Sequence, residues 1–167
     1  MAARVETPYK VLERLGSGIE IREYPPQVWA RTTGDQKEAF QTLFEYISGY
    51  NKTMEKIAMT APVIIFNSNE GRIMAFIMPQ GKTLRSLPKP LTEKVKLESI
   101  PSRKVAAFAF SGIVTPDSFD RGFRLIQEML KRRGTVWAEP AYLLQYDDPN
   151  TPPFLRRNEV AVQLKCA

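Results

Sequence analysis

A succession of strand pair, helix and strand pair occurs twice in this sequence, and no other feature constrains the fold as strongly. The first copy has an alternating strand over 19–24, a helix with apolar residues at helical spacing, and a strand pair that ends near residue 78. The second copy has strands over 105–111, 141–146 and 158–164, with an amphipathic helix between the first two. Hairpin-length turns leave few crossovers, so we expect antiparallel strands. The sequence therefore predicts a duplicated α+β domain, a curved sheet or distorted barrel with two helices packed on it.

The first helix carries signals at both ends. Asp35 and Glu38 have the spacing of a capping box, with Asp in place of Ser or Thr, and Gly49 supplies a C-terminal stop. Apolar residues at helical period indicate the face that packs on the sheet. They are Phe40, Leu43, Phe44 and Ile47.

The second helix is bracketed at its start by Asp117 and Asp120 and ends at Gly134. Gly122 lies on its apolar stripe, which indicates that the helix approaches the sheet closely. The other members of that stripe are Phe119, Phe123, Ile126 and Leu130.

The composition is that of one soluble domain. The chain has 167 residues, 43% hydrophobic and 25% charged, which is enough for a sizeable core. We expect a single domain over 1–167, with repeat halves of about 8–80 and 92–165. The sequence has no run of about eighteen apolar residues that would predict a membrane span, and its N-terminus shows no targeting signal. The single Cys166 is typical of a reducing compartment, so a cytoplasmic location is expected.

The absence of histidine excludes several kinds of site. Ser–His–Asp catalysis, Cys–His catalysis and histidine-rich zinc sites all need an imidazole, and one cysteine is too few for a thiolate-rich metal site within one chain. Gly81-Lys82-Thr83 resembles the end of a phosphate-binding loop, but Phe76 occupies the place of the first glycine. A hydrolase of ordinary type is therefore not expected, and no catalytic residue is assigned.

The net charge of +6 favours an anionic partner. The basic residues are scattered, with local clusters at Lys131-Arg132-Arg133 and Arg156-Arg157, and the sequence has no nucleic-acid motif. A small ligand with one or two carboxylates fits this excess better than a nucleic acid does. Binding to nucleic acid is not expected.

The segment over 56–63 joins the first helix to an apolar strand and is accompanied by methionines. Met54 and Met59 flank the turn, and Met74 and Met78 follow on the next strand. Methionine fills irregular apolar gaps and adapts to flat aromatic surfaces. The segment either closes its own core or forms the wall of a ligand site. The strand over 72–78, which is apolar on both faces, allows the same two interpretations.

Six segments, in the same order along the chain, resemble the SOUL/heme-binding protein family and together extend over about residues 8 to 165. They are Ile19-Glu20-Ile21-Arg22-Glu23-Tyr24-Pro25, Tyr46-Ile47-Ser48-Gly49-Tyr50-Asn51, Lys56-Ile57-Ala58-Met59-Thr60-Ala61-Pro62-Val63, Met78-Pro79, Phe110-Ser111-Gly112 and Arg156-Arg157-Asn158-Glu159-Val160. The resemblance implies a distorted antiparallel β-barrel with two helices packed on it. It also implies a protein that carries or buffers a tetrapyrrole.

The implied ligand is heme or protoporphyrin, held in a shallow apolar cleft beside the first helix with its propionates at basic residues of the rim. The pair Arg156-Arg157 is equally consistent with a salt-bridged strand entrance. The aromatic residues of the first helix are also consistent with core packing. The residues implied to bind the ligand are Phe40, Phe44, Ile47, Met54, Lys56, Met59, Arg156 and Arg157.

One position departs from the family. Where a histidine has been proposed as an iron ligand in part of the family, this chain has Glu23. The remaining candidates for an iron ligand are Glu23, Tyr24, Tyr50 and Met59, and a structural role is favoured for each of them. No metal site is therefore assigned, and we expect binding by apolar contact that tolerates a metal-free porphyrin.

Two other functions stay open. Glu23, Tyr24 and Tyr50, if buried, would be able to move protons in an enzyme that demetallates heme or modifies the ring. The second open function is a small-molecule-sensing or protein-interaction module, by analogy with similar duplicated folds in bacterial regulators. Conversion of hemin to free porphyrin would indicate the enzyme, and binding of unrelated hydrophobic cations would indicate the sensor.

Overall fold

A computed structural model describes residues 4–165 of the chain, and these residues form two compact units. The first unit contains residues 4–8 and 26–101, and the second contains residues 9–25 and 102–165. Each unit is therefore assembled from two separate segments of the chain. The single domain and its repeat halves over 8–80 and 92–165 stay predictions.

The described residues contain eleven strands and two α-helices. In chain order the strands are β1 (Val5–Glu6), β2 (Lys10–Arg14), β3 (Ile19–Tyr24), β4 (Gln27–Thr33), β5 (Thr60–Ala61), β6 (Val63–Ser68), β7 (Gly71–Ile77), β8 (Lys96–Ile100), β9 (Arg103–Phe110), β10 (Trp137–Gln145) and β11 (Asn158–Leu164). The helices are α1 (Gln36–Ile47) and α2 (Pro116–Arg133). Within the part of the chain that is described, neither helix is long and apolar enough to cross a membrane.

The first unit is an antiparallel sheet of four strands with α1 packed on it. The strand order is β6-β7-β4-β8, and α1 contacts β4 and β7. Strands β1 and β5 form a separate, parallel pair. Residues 73–77 of β7 are all buried, as expected for a strand whose two faces are both apolar.

The second unit is an antiparallel sheet of five strands, β2-β3-β9-β11-β10, with α2 packed on it. At Gly122 the helix comes so close to the sheet that a Cβ atom would lie 3.0 Å from Cγ2 of Val160 and 3.2 Å from Cδ2 of Phe108. The predicted close approach at Gly122 is therefore confirmed. The buried core of this unit consists of Ile19, Ile21, Ala106, Ile126, Leu130, Val160 and Val162.

The two units repeat one topology. In each unit a leading strand is followed by a helix and then by a hairpin. These elements are β4, α1 and the hairpin β6-β7 in the first unit, and β9, α2 and the hairpin β10-β11 in the second. The leading strand pairs with the second strand of the hairpin, β4 with β7 and β9 with β11. A further strand pairs with the other edge of the leading strand, β8 with β4 and β3 with β9. In the chain, β3 comes directly before β4 and β8 directly before β9, so the further strand of each unit precedes the leading strand of the other unit. The α+β class with helices on antiparallel strands is confirmed, and closure into a barrel stays a prediction.

The second helix begins at a cap that the sequence pattern did not indicate. The side chain of Thr115 accepts a hydrogen bond from the backbone N–H of Ser118 at 3.1 Å, and the hydroxyl oxygen of Ser118 accepts one from the N–H of Thr115 at 2.9 Å. Asp117 and Asp120, which were expected to mark the start, lie inside the helix. The predicted end is confirmed, because Gly134 closes the helix at a φ of 69°.

Candidate functional site

Helix α1 begins where predicted, and its buried face includes Leu43 and Ile47, as the apolar stripe predicted. Asp35 accepts the backbone N–H of Glu38 at 2.9 Å, which confirms the predicted cap. Phe40 is half-buried and Phe44 is 48% exposed, so the expectation that Phe44 packs in the core is wrong. The buried residues of the helix are Ala39, Leu43, Tyr46 and Ile47.

A series of aromatic rings connects the core of the first unit to its surface. The ring of half-buried Phe40 meets buried Phe76 edge-on, with centroids 5.3 Å apart. On its other side Phe40 lies 5.9 Å from Phe44, and these two ring planes differ by 13°. Both geometries are favourable for aromatic pairs. The exposed ring of Phe44 is therefore supported by a ring that is itself packed on the core.

The residues that follow α1, named here the exit segment (48–59), have a fixed backbone without regular structure. Buried Asn51 holds them, because its Nδ2 donates to the carbonyl oxygens of Tyr46 and Glu55, both at 2.9 Å. Its Oδ1 accepts the N–H of Glu55 at 3.0 Å. One side chain thus replaces the backbone partners that a helix or a strand would otherwise supply.

Two contacts, one from the end of α1 and one from the exit segment, lead to the proline-rich loop before β8. The hydroxyl of Tyr46 donates to the carbonyl oxygen of Pro88 at 2.6 Å, and the N–H of Lys52 donates to the carbonyl oxygen of Lys89 at 2.9 Å. Burial, and after it the negative charge of Glu55, raises the pKa of Tyr46 to about 12. The phenol therefore stays a neutral hydrogen-bond donor throughout the physiological range of pH.

The exit segment directs two large side chains into solvent. Met54 is 82% exposed and Tyr50 is 54% exposed. Met54 also has a φ of 53°, which is uncommon for a residue other than glycine. Single exposed apolar residues are ordinary, and Phe44 near the end of α1 adds a third exposed side chain close to these two in the sequence. We name Phe44, Tyr50 and Met54 the exposed triad.

The residues predicted to bind a ligand fall in both units. Ile47, the last residue of α1, is buried, Met59 is half-buried and Lys56 is exposed. Arg156 and Arg157 belong to the second unit. The predicted residues that the first unit contains are Phe40, Phe44, Ile47, Met54, Lys56 and Met59.

Arg156 and Arg157 both make contacts inside the second unit. The Nε of Arg156 donates to the carbonyl oxygen of Thr151 at 2.8 Å, and its Nη2 donates to that of Pro149 at 2.9 Å. Arg157 donates to Oε2 of Glu159 through Nε at 3.2 Å and Nη2 at 3.1 Å. Arg157 thus forms an ion pair at the start of β11, whereas the contacts of Arg156 are to backbone carbonyls, and a contact of either residue with propionates stays a prediction.

A buried ion pair links β3 to β11 and was not predicted from the sequence. Glu159 is 0% exposed, and Arg22 donates to both of its carboxylate oxygens, Nη1 to Oε1 and Nη2 to Oε2, at 2.6 Å each. The hydroxyl of Tyr146 donates to Oε1 at 2.9 Å. Burial alone would raise the pKa of Glu159 and lower that of Arg22, but their mutual hydrogen bonds and attraction outweigh it. The pKa of Glu159 is therefore below its usual value and that of Arg22 above its own.

The oxygen candidates for an iron ligand are also divided between the units. Tyr50 belongs to the exposed triad, whereas Glu23 and Tyr24 lie on β3 of the second unit. Tyr24 is buried, which raises its pKa, and its hydroxyl accepts a bond from Nη1 of Arg22 at 3.2 Å. Residues 4–165 contain no group of three or more His, Cys, Asp or Glu side chains that would hold a metal ion.

Comparison with known proteins gives matches over nearly the whole chain. A family model described as SOUL heme-binding protein matches residues 5–163. Heme-binding protein 2 of Homo sapiens is 28% identical over 176 aligned positions, which cover 95% of this chain and 86% of that protein. These matches confirm the resemblance that the sequence motifs predicted.

Solved structures with low sequence identity share the fold. A hydrolase from Listeria innocua has a TM-score of 0.64 at 12% identity, covering 88% of this chain and 91% of its own. The C-terminal domain of EcmrR has a TM-score of 0.61 at 11% identity, covering 89% of this chain and 98% of its own. At such identities the likeness concerns the fold alone.

Proposed function

The chain belongs to the SOUL heme-binding protein family, and on this basis we propose that it binds a tetrapyrrole, heme or protoporphyrin, at the exposed triad of the first unit. In this proposal the protein is a carrier or buffer of its ligand. The apolar faces of the macrocycle rest on the aromatic and thioether groups beside α1.

The exposed triad is the observation that carries the proposal. Phe44 presents a ring that is stacked on Phe40 and is therefore already ordered, so little conformational entropy is lost when a ligand covers it. Met54 and Tyr50 are exposed on a backbone that Asn51 fixes. Covering these side chains removes apolar surface from water, which is the main favourable term in binding a flat apolar ligand.

Lysines supply opposite charges for the carboxylates of the ligand. Lys52 and Lys56 are exposed on the exit segment, and Lys37 is exposed on α1. An exposed ammonium–carboxylate pair contributes little affinity in water, at most about 1 kcal/mol. Apolar contact therefore supplies most of the affinity in this proposal, and the lysines orient the ligand.

The proposal needs no strong iron ligand. The chain has no histidine, and Tyr50 is the oxygen candidate within the exposed triad. Heme, when bound, supplies a redox-active iron, which a carrier or buffer only holds. We therefore expect hemin and protoporphyrin IX to bind with dissociation constants within about tenfold of each other.

Parallel titrations with hemin and protoporphyrin IX, followed by absorbance and fluorescence, test the proposal. We expect Phe44→Ser to weaken both ligands about tenfold, because about half of a phenylalanine side chain is available to be covered. Phe154→Ser is the matched control, since Phe154 is 76% exposed in the second unit, and it is expected to change neither affinity. Equal weakening by both substitutions would contradict the proposed surface. A strong preference for hemin with a sharp low-spin spectrum would contradict binding by apolar contact.

The bound hemin also separates a carrier from an enzyme. A carrier leaves the absorbance spectrum constant once binding is complete. Gradual appearance of the spectrum and fluorescence of metal-free porphyrin would indicate demetallation, and it would replace the carrier proposal by the enzymatic one.

A further inference from the structure

We propose that Met54 is an oxidation site through which peroxides regulate the ligand surface: conversion of its thioether into a sulfoxide weakens tetrapyrrole binding at the exposed triad. This inference rests on the proposed function and adds a regulation of the same site to it.

Exposure separates Met54 from the other methionines of the first unit. Met74 and Met78 are each 3% exposed, and Met59 is half-buried. Met54 is 82% exposed. A peroxide must reach the sulfur to oxidise it, so we expect Met54 to react before the others.

A fixed backbone keeps the Met54 side chain in solvent. Its φ of 53° is a conformation that few residues other than glycine adopt, and Ser17 is the other such case among the described residues. The N–H of Met54 donates to the carbonyl oxygen of Asn51 at 3.1 Å, and the next N–H, of Glu55, donates to Oδ1 of the same residue. Hydrogen bonds on both sides of its Cα therefore fix the backbone of Met54 in a conformation for which turns ordinarily use glycine or asparagine.

Oxidation changes the property for which the exposed triad is suited. A thioether is apolar and polarizable, and it adapts to a flat aromatic ligand. A sulfoxide oxygen is a strong hydrogen-bond acceptor that must lose its water when a porphyrin covers it. Phe44 has no donor to replace that water, and the hydroxyl of Tyr50 is the single side-chain donor within the triad.

The chemistry is an oxygen-atom transfer from a peroxide. A lone pair of the Met54 sulfur attacks the outer peroxide oxygen, an S–O bond forms and the O–O bond breaks. The sulfur loses two electrons, and the peroxide gains them and leaves as water or an alcohol after the proton of the transferred oxygen moves to the leaving oxygen. Methionine sulfoxide reductases reverse such a step, so the modification is able to act as a switch.

The first measurement is the site of oxidation. The full-length protein is treated with dilute hydrogen peroxide, and sulfoxide at each methionine is followed by peptide mass spectrometry with and without bound protoporphyrin IX. We expect Met54 to be oxidised about tenfold faster than half-buried Met129 of the second unit, and we expect the ligand to protect Met54 alone. Equal rates at Met54 and Met129, or no protection by the ligand, would overturn the inference.

The second measurement is the affinity for protoporphyrin IX before and after peroxide treatment. This metal-free ligand is used because it adds no iron-dependent oxidation of its own. In the wild-type protein we expect the dissociation constant to rise about fivefold to tenfold. In Met54→Leu, compared with itself before treatment, we expect no rise, and Met129→Leu should behave as the wild type does.

The outcomes distinguish this inference from the proposed function. An affinity that survives complete oxidation of Met54, or a loss that also occurs in Met54→Leu, overturns the oxidation site and leaves the proposed function intact. Absence of binding by the untreated protein overturns the proposed function and, with it, this inference.

Discussion

Removal of the Glu159 carboxylate is the perturbation that the structure makes most consequential. Substitution by alanine leaves Arg22, which is 3% exposed, without the two charge-assisted bonds of 2.6 Å that it makes to Glu159. Tyr146 loses the acceptor of its hydroxyl as well, and half-exposed Arg157 loses the carboxylate to which its Nε and Nη2 donate. Arg22 keeps one carboxylate, that of Glu20 at 2.9 Å, which is itself partly exposed.

The magnitude follows from this inventory. Breaking a buried ion pair by removing one partner costs about 3–5 kcal/mol, because a charge is left buried and unpaired. The remaining contact with Glu20 offsets part of that cost, so we expect the free energy of unfolding of Glu159→Ala to fall by about 3–4 kcal/mol. With a urea m-value of about 2 kcal/mol/M, the unfolding midpoint falls by about 1.5–2 M.

Urea unfolding followed by circular dichroism is the assay. Glu159→Gln, which keeps the shape and one acceptor, is expected to lose about half as much and remains measurable if the alanine variant does not fold. The matched control is Glu13→Ala, which breaks the pair with Arg133, whose side chains are 47% and 39% exposed, and it should cost less than about 1 kcal/mol. A Glu159→Ala midpoint as close to the wild type as that of Glu13→Ala, with unchanged m-value, would refute the reasoning.

Four further predictions follow from single side chains. The pKa of Glu159 is depressed in the folded state. The stabilisation that its ionised carboxylate contributes is therefore present above the pKa of glutamate in the unfolded chain, about 4.3, and is lost as the pH falls through the lower folded-state pKa. Glu159→Gln should accordingly lose less stability than the wild type on acidification. The raised pKa of Tyr46 gives a stabilisation that is complete below about pH 10 and is lost towards about pH 12, and alkaline unfolding of Tyr46→Phe should lack that component. Asn51→Ala should lower the free energy of unfolding by about 2–3 kcal/mol and weaken porphyrin binding, since buried backbone groups lose their partner; an unchanged affinity would show that the exit segment needs no such support. Gly122→Val should cost about 2–3 kcal/mol by overpacking against the sheet, whereas exposed Arg121→Val should change stability by less than about 0.5 kcal/mol.

Sequence patterns located several ends of helices and strands correctly, although the cap at Thr115, whose hydrogen bonds also close within a few residues, was not predicted. The cap at Asp35 and the stop at Gly134 were both predicted and are both observed. The last strand was predicted over 158–164 and is found at Asn158–Leu164. The strand before it begins at Trp137 instead of the predicted Ala141, because its pairing with β11 continues beyond a register shift. The sequence did not predict this continuation, because a proline inside a strand pattern argues against a strand.

Features that depend on distant partners were not predictable. Buried Tyr46 donates its hydroxyl hydrogen bond to the carbonyl oxygen of Pro88, far along the chain. The apolar stripe instead placed Phe44 in the core. Arg22 and Glu159 are costly to bury singly, and only the pairing of β3 and β11 with β9 brings them together. The same limit applies to the site, since the family resemblance implied Met54 and Phe44 as ligand-binding residues but gave no measure of their exposure.

Because β3 pairs with β9 and β8 with β4, we expect the two units to be completed in a fixed order during translation. The first unit is complete in sequence once residue 101 has left the ribosome, and domains generally fold as units in the order of their synthesis. The hairpin of β2 and β3 has emerged long before that point, but its partner β9 begins at Arg103. We therefore expect the edge of β3 that pairs with β9 to stay unpaired until the first unit, most of which is synthesised later than this hairpin, has folded.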